Sequence, residues 1–290
     1  MSDYGSPTVR RRRLAAELRR LRERAHLTGD QVAERLGWSP SKISRYELAR
    51  TGLNPAEVGK LLDLYGVDEL QRDELLALAR EARLKGWWEA YGDALPENNL
   101  AFIGLEAQAS SVREWQVEVV PGLLQTQKYA REVVRGFQRV ETIPPGRVER
   151  RLQARLERQQ VLIREPPLEL HVVLDESVLL RCMGDNSVMD AQLRRLVEVS
   201  RLPNVTLQIL PLDLPHSLSV DSFVLLTFGD ERGATLHDVA SAEHLTGELH
   251  LEGEADTYQY RLAFDFLAQQ SLNPAESREL IAKTVGRVWS

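Results

Sequence analysis

The sequence predicts an α+β protein, mostly α. An N-terminal bundle of five helices is followed by a C-terminal α+β domain with a small sheet covered by helices. Three observations predict this. Up to about residue 85, apolar residues recur at helical spacing between closely spaced start and stop signals. Beyond residue 167, the β-rich runs LELHVVL, VTLQIL and SFVLLTF are interleaved with helical patterns. Charge is also uneven, since residues 1–60 hold 13 basic against 7 acidic side chains and residues 86–290 hold 20 against 30, in a chain of net charge −6.

The N-terminal elements follow in order. Leu14, Leu18, Leu21 and Ala25 mark an amphipathic helix from about Val9 to Ala25. Thr28 can cap the next helix, Gln31 can bond back to the Thr28 backbone, and Leu27 and Val32 flank them as a hydrophobic staple. That helix turns Val32, Ala33 and Leu36 inward and stops at Gly37. Ser39 and Pro40 start another, running to about Leu48. Pro55 to Tyr65 presents Val58, Leu61, Leu62 and Tyr65 to a shared core, and residues 69–85 form a Leu-rich fifth helix. Only Gly37, Trp38 and Ser39 separate the second and third helices, which is the spacing of a helix-turn-helix. In that motif the second helix enters the major groove of DNA. With Ile43 and Tyr46 facing inward, Ser41, Lys42, Ser44 and Arg45 remain outside. All four can donate hydrogen bonds, none is acidic, and Arg45 can reach guanine O6 and N7 bidentately. For the run Arg10 to Arg13, nucleic-acid contact and a solvated helix start both stay open.

The segment LTGDQVAERLGWSPSKISRYELART resembles the core of an Xre/Cro-type helix-turn-helix domain, over residues 10 to about 68. The resemblance implies a homodimer on a double-stranded DNA operator. It implies base or near-base contacts at Ser41, Lys42, Ser44 and Arg45, and phosphate contacts at Thr28, Gln31, Ser39 and Arg50. Gly29 departs from the pattern, standing where many members carry a Gln that touches phosphate. The domain is expected over residues 9–85.

Residues 86–98, with Trp87, Trp88 and Tyr91, read as a junction whose aromatics pack rather than bind a ligand. Residues 99–290 form the C-terminal domain. Helices are expected at Asn99–Trp115, Thr126–Phe137, Gly146–Arg164, Val188–Ser200, Ala255–Gln270 and Pro274–Val288. Strands are expected at Leu168–Leu174, Val205–Leu210, Ser222–Phe228, Thr235–Glu243 and Glu248–Leu251, with a turn at Thr246-Gly247 and a parallel β-α-β pair. Arg147, Arg150, Arg151, Arg155 and Arg158 read as a charged solvent face with i,i+4 pairs to residues such as Glu149, the alternative being a second DNA-facing surface. The runs LEAQASSVREWQVEVVPGLLQTQKYAREVV, HVVLDESVLLRCMG, NVTLQILPLD and SFVLLTFGD resemble the C-terminal domain of actinobacterial Xre-family regulators, with a WhiJ-like layout; the domain is often termed antitoxin-like. This resemblance implies a transcriptional regulator whose C-terminal domain dimerises and senses a partner or ligand. The alternative it leaves is an antitoxin-like interaction protein whose main ligand is a small acidic partner protein.

Other classes find little support. Asp213, His216 and Asp221, and His237, Asp238, Glu243, His244 and His250, are scattered polar residues that strand alternation splits between faces. His216 and Ser217 lack a nucleophile elbow, and no P-loop, dinucleotide fingerprint or metalloprotease His pair occurs. No catalysis, metal or cofactor is expected. The lone Cys182 has no disulfide or zinc partner and is expected to be a small buried hydrophobe. No run of ~18 apolar residues suggests a membrane span, and the first residues lack a leader's apolar stretch, so a cytoplasmic location is expected.

Overall fold

The computed structural model describes residues 7–49, 51–83, 85–140, 143–214, 218–229, 237–244 and 247–289. The chain divides near Ala90 into two compact units.

The first unit holds α1 (Pro7–Arg24), α2 (Gly29–Leu36), α3 (Pro40–Glu47), α4 (Pro55–Tyr65) and α5 (Glu69–Glu81). One core joins Leu14, Leu18 and Leu21 of α1, Val32 and Ala33 of α2, Ile43 and Tyr46 of α3, Val58, Leu61 and Leu62 of α4, and Leu75 and Ala79 of α5. These are the apolar stripes that helical spacing predicts. The start of α1 is not a solvated arginine run. Arg10 is buried with its Nε 3.4 Å from Glu81 of α5, and Arg11, Arg12 and Arg13 are half-buried.

Local chemistry sets the helix ends. Thr28 Oγ1 accepts from the Gln31 N–H at 3.2 Å while Gln31 Oε1 accepts from the Thr28 N–H at 2.9 Å, a complete capping box. Gly37 closes α2 in the left-handed region at φ +66°, so that the Trp38 N–H reaches Ala33 O at 2.8 Å. Asn54 accepts from the Ala56 N–H at 3.1 Å to start α4, with Pro55 in the first turn. Ser39 differs from expectation. It stands at the head of α3 but makes no side-chain cap, and its Oγ lies 3.1 Å from Ser41 Oγ instead.

The second unit contains α6 (Glu97–Glu106), β1 (Ser111–Gln116), α7 (Gln127–Phe137), α8 (Pro145–Arg158), β2 (Glu169–Asp175), α9 (Ser177–Leu180), α10 (Asn186–Val199), β3 (Val205–Leu210), β4 (Phe223–Thr227), β5 (Val239–His244), β6 (Gly247–Leu251), α11 (Glu254–Gln270) and α12 (Pro274–Thr284). Its sheet runs β3-β2-β1-β4-β5-β6. β1 pairs parallel to β2 and β2 to β3, and the remaining pairs are antiparallel. The expected β-α-β pair is therefore present as β2-α10-β3, and the expected hairpin as β5-β6, where His244 faces Gly247. Thr246 of its turn, and Thr235 and Leu236 before β5, lie outside the described residues.

The main correction concerns residues 99–115. They do not form one helix, because α6 ends at Glu106 and Ser111–Gln116 become the strand between β2 and β4. A strand inside a sheet buries both faces, so Val112 and Trp115 are buried on opposite sides, and their spacing of three mimics a helix. Two further helices are shorter than expected. α8 yields to a 3-10 turn at Gln159–Leu162, and α12 to a π-helical turn at Val285–Trp289. Cys182 is exposed rather than buried.

The two faces of the sheet differ. On one, Val173, Trp115 and Phe223 form an apolar row under Phe264 and Leu267 of α11. On the other, the register aligns Val172, Glu114, Val224, Ser241 and His250. The run Val120–Thr126 lies against α7, α8 and α10 and is held by glutamines. Gln125 Nε2 donates to Val120 O at 2.7 Å, Gln159 Nε2 to Gly122 O and Gln125 O, and Gln192 bridges Leu124 O and the Thr126 N–H. Gln125 and Gln192 are buried and satisfied, the condition under which buried amides do not destabilise a core.

Candidate nucleic-acid interface

α2 and α3 are joined by the Gly37 turn, and both anchor side chains of α3 point into the core: Ile43 is 3% and Tyr46 6% exposed. A helix fixed on that side leaves the opposite side in solvent. Ser41, Ser44 and Arg45 are exposed there, and Arg45 Nε lies 3.3 Å from Ser41 O. Thr28, Gln31 and Ser39 are exposed as well. The capping box uses acceptors of Thr28 and Gln31, so the hydroxyl hydrogen of the one and the Nε2 hydrogens of the other can serve an outside anion. The start of α2 lies close to α3, since a methyl group at Gly29 would sit 3.7 Å from Ile43 Cγ2. Arg50 lies outside the described residues.

Lys42 stands apart from the other outward residues. It is half-buried, with its Nζ 2.6 Å from Glu57 Oε1 and 4.1 Å from the centre of the Trp38 ring. Tyr46 also donates to Glu57, through its hydroxyl to Oε2. Burial pushes the Glu57 carboxyl up, but its bonds to Lys42 and Tyr46 outweigh that and hold it below its ordinary value. Burial, and then the bond to Glu57, push the Tyr46 phenol up to about 12.

A second clamp holds the other end of α3. Arg22 of α1 makes a bidentate pair with Glu47, at 2.6 and 2.9 Å, and its third nitrogen donates to Leu27 O at 2.8 Å. Glu47, the acid in α3, is thus turned away from the exposed side and neutralised. Arg22 and Glu57 were not identifiable as site residues from sequence. Arg22 lies 25 positions from its partner, beyond any helical spacing rule. Glu57 had a weak signal, an acid in the first turn of α4 with Lys42 and Tyr46 spaced i,i+4 before it.

The second arginine-rich segment is a solvent face only in part: Arg147 is exposed and Arg150 forms an exposed ion pair, whereas Arg151, Arg155 and Arg158 turn inward. Arg158 of α8 makes a bidentate pair with Glu106 of α6 at 2.8 and 2.7 Å, and Arg155 donates to Gln125 Oε1 at 3.1 Å. Arg151 donates to Ala94 O and Arg150 to Asp93. Glu149 pairs with Arg131 of α7 rather than within its own helix. Close beneath lies Glu114, 7% exposed, accepting from Gln116 Nε2 at 2.9 Å. Loss of solvation pushes its carboxyl up to about 7, and Glu106 adds to the shift. Desolvation likewise brings the half-buried Arg155 guanidinium down to about 10.

Of the polar residues considered for chemistry, Asp238 is ion-paired with Arg261. His216 and Ser217 lie outside the described residues. Among the described residues no group of three or more His, Cys, Asp or Glu could hold a metal, and no helix is long and apolar enough to cross a membrane.

Two family models match the chain. A helix-turn-helix domain covers residues 13–75, and a domain of unknown function, DUF5753, covers residues 100–283. No curated protein and no solved structure matches it.

Proposed function

The chain belongs to the DUF5753 family and carries an N-terminal helix-turn-helix DNA-binding domain, and on that premise we propose that it is a sequence-specific transcriptional regulator of the Xre/Cro type. It acts in the cytoplasm as a binding protein, not an enzyme, and reads its operator as a homodimer. The observation that carries this reading is the division of α3. Ile43 and Tyr46 are sunk in the core, while Ser41, Ser44 and Arg45, all donors and none acidic, stand in solvent. Arg45 is the side chain suited to guanine, Ser41 and Ser44 suit base edges or phosphates, and Thr28, Gln31 and Ser39 suit the backbone. Residues 91–290 hold two heads in register and couple a partner or ligand to their spacing, with half-sites ~34 Å apart.

The test is selection of bound duplexes from a random-sequence pool, followed by isotherms on the enriched site at two salt concentrations with random DNA as competitor. A two-fold motif with half-sites about one helical turn apart, resistant to competitor, is the expected result. Enrichment of no sequence would overturn the reading.

A further inference from the structure

Lys42 points from the reading helix but is already held on three sides. Its ammonium sits 2.6 Å from Glu57 Oε1, 4.1 Å from the Trp38 ring centre and 5.6 Å from that of Tyr46. The two rings meet edge to face, with centres 6.0 Å apart. Carboxylate and ring faces together replace much of the water that a lysine ammonium needs. Glu57 lies in the first turn of α4, where the helix dipole favours a carboxylate, and it also takes the Tyr46 hydroxyl. One acid of α4 therefore binds α3 at two positions an i,i+4 step apart.

We propose that Lys42 and Glu57 are positioning residues for DNA reading: Glu57 withholds the Lys42 ammonium from the DNA and fixes the rotation of α3, so that Ser41, Ser44 and Arg45 alone set base preference. Ser41 and Arg45 form the helix row next to Lys42 and Tyr46. A rotation that loosened one row would misaim the other, and Arg45 as the longer arm would lose most. Lys42 thus leaves the set of expected base contacts and joins the scaffold. This inference rests on α3 being the helix that enters the groove.

The experiment uses the full chain, the duplex that the parent enriches from a random pool, and that duplex with each base pair changed in turn. Lys42→Met should lower the preference for the enriched site roughly fivefold, at the base pair that Arg45 reads, with the salt slope unchanged. Glu57→Gln, which frees the ammonium, should steepen the salt slope by about one and narrow the gap between the enriched site and random DNA. Lys42→Arg, still able to pair with Glu57, should restore the parent's preference. A Lys42→Met protein with a salt slope flatter by about one, or with preference relaxed at a base pair that Arg45→Ala leaves untouched, would show that Lys42 touches DNA and overturn the proposal. So would a Glu57→Gln protein with the parent's slope and preference. Arg45→Ala serves as the separate control: if it leaves base preference intact, α3 is not the reading helix, and that reading fails rather than the Lys42 assignment alone.

Discussion

α3 and α8 are both short basic helices, and they use their cations in opposite ways. In α3, Arg45 stands in solvent and the one acid, Glu47, is neutralised by Arg22 from another helix. In α8, Arg155 and Arg158 turn toward the sheet and meet Gln125 and Glu106, with Glu114 nearby. Composition does not distinguish the two. What does is the location of the acids. Those paired with α3 approach from its buried side and leave the outer side uniformly donating, whereas those around α8 sit under it. A basic helix is a nucleic-acid surface only when its acidic partners lie behind it.

The largest effect should come from removing a cation on the inward side. Arg158→Ala leaves Glu106, whose side chain is 4% exposed, as an uncompensated buried charge. The expected loss is about 3–5 kcal/mol of stability in the second unit, read as a fall in the urea midpoint. Arg45→Ala should leave that midpoint unchanged and cost ~1–3 kcal/mol of binding at one base position. If Arg158→Ala were stable, or Arg45→Ala unstable, the contrast between the helices would be wrong.

Next in size is the central acid. The Glu114 carboxyl is moved from an ordinary 4.5 up to about 7, first by desolvation. A raised folded value means that the native state binds the extra proton, so stability is full below pH 4.5 and is lost as pH rises toward 7. The loss amounts to about 3 kcal/mol at pH 8. Glu114→Gln keeps an oxygen for Gln116 and carries no charge. It should be the more stable protein at pH 8, and the difference between the two proteins should shrink toward zero at pH 5. Urea titrations of both proteins from pH 5 to 8 measure it. A difference that stays constant across that range would mean that Arg155 and Arg158 compensate Glu114 fully.

The same contrast explains how much could be read from sequence. α2 and α3 were legible because their signals are local: Thr28 with Gln31, Gly37, and Pro40 behind Ser39. So were the outward positions of Ser41, Ser44 and Arg45, which follow from Ile43 and Tyr46 by helix periodicity. The clamps on α3 were not, since Glu47 and Arg22 meet across 25 residues and Lys42 looks like any exposed lysine. In the second unit, β1 was hidden because a buried Glu114 breaks the alternation expected of a strand. Its hydrogen-bond partner is Gln116, and the arginines whose charge acts on it lie more than forty positions later, so no local window contains them all. Gln125, Gln159 and Gln192 were equally opaque: Gln125 satisfies the loop from within it, and the other two reach it from helical segments far along the chain.

The smallest effect sharpens the comparison from the backbone. α2 and α4 end on glycines in the left-handed region, at φ +66° for Gly37 and +69° for Gly66, whereas α7, α8 and α10 end on right-handed residues. α3 ends differently from both, because Ala49 takes φ +52°. An alanine there carries a Cβ clash of about 1–2 kcal/mol, partly offset by its stiffer unfolded chain. Ala49→Gly should therefore stabilise the first unit by roughly 0.5–1 kcal/mol, seen as slower amide hydrogen exchange in α2 and α3. Gly37→Ala should do the reverse by a similar amount, and for conformational reasons alone, since nothing lies within 4 Å of the added methyl. If Ala49→Gly instead speeds exchange, then α3 is held by its long-range clamps to Arg22 and Glu57 tightly enough that local stops contribute nothing, and the two units are built on the same principle after all.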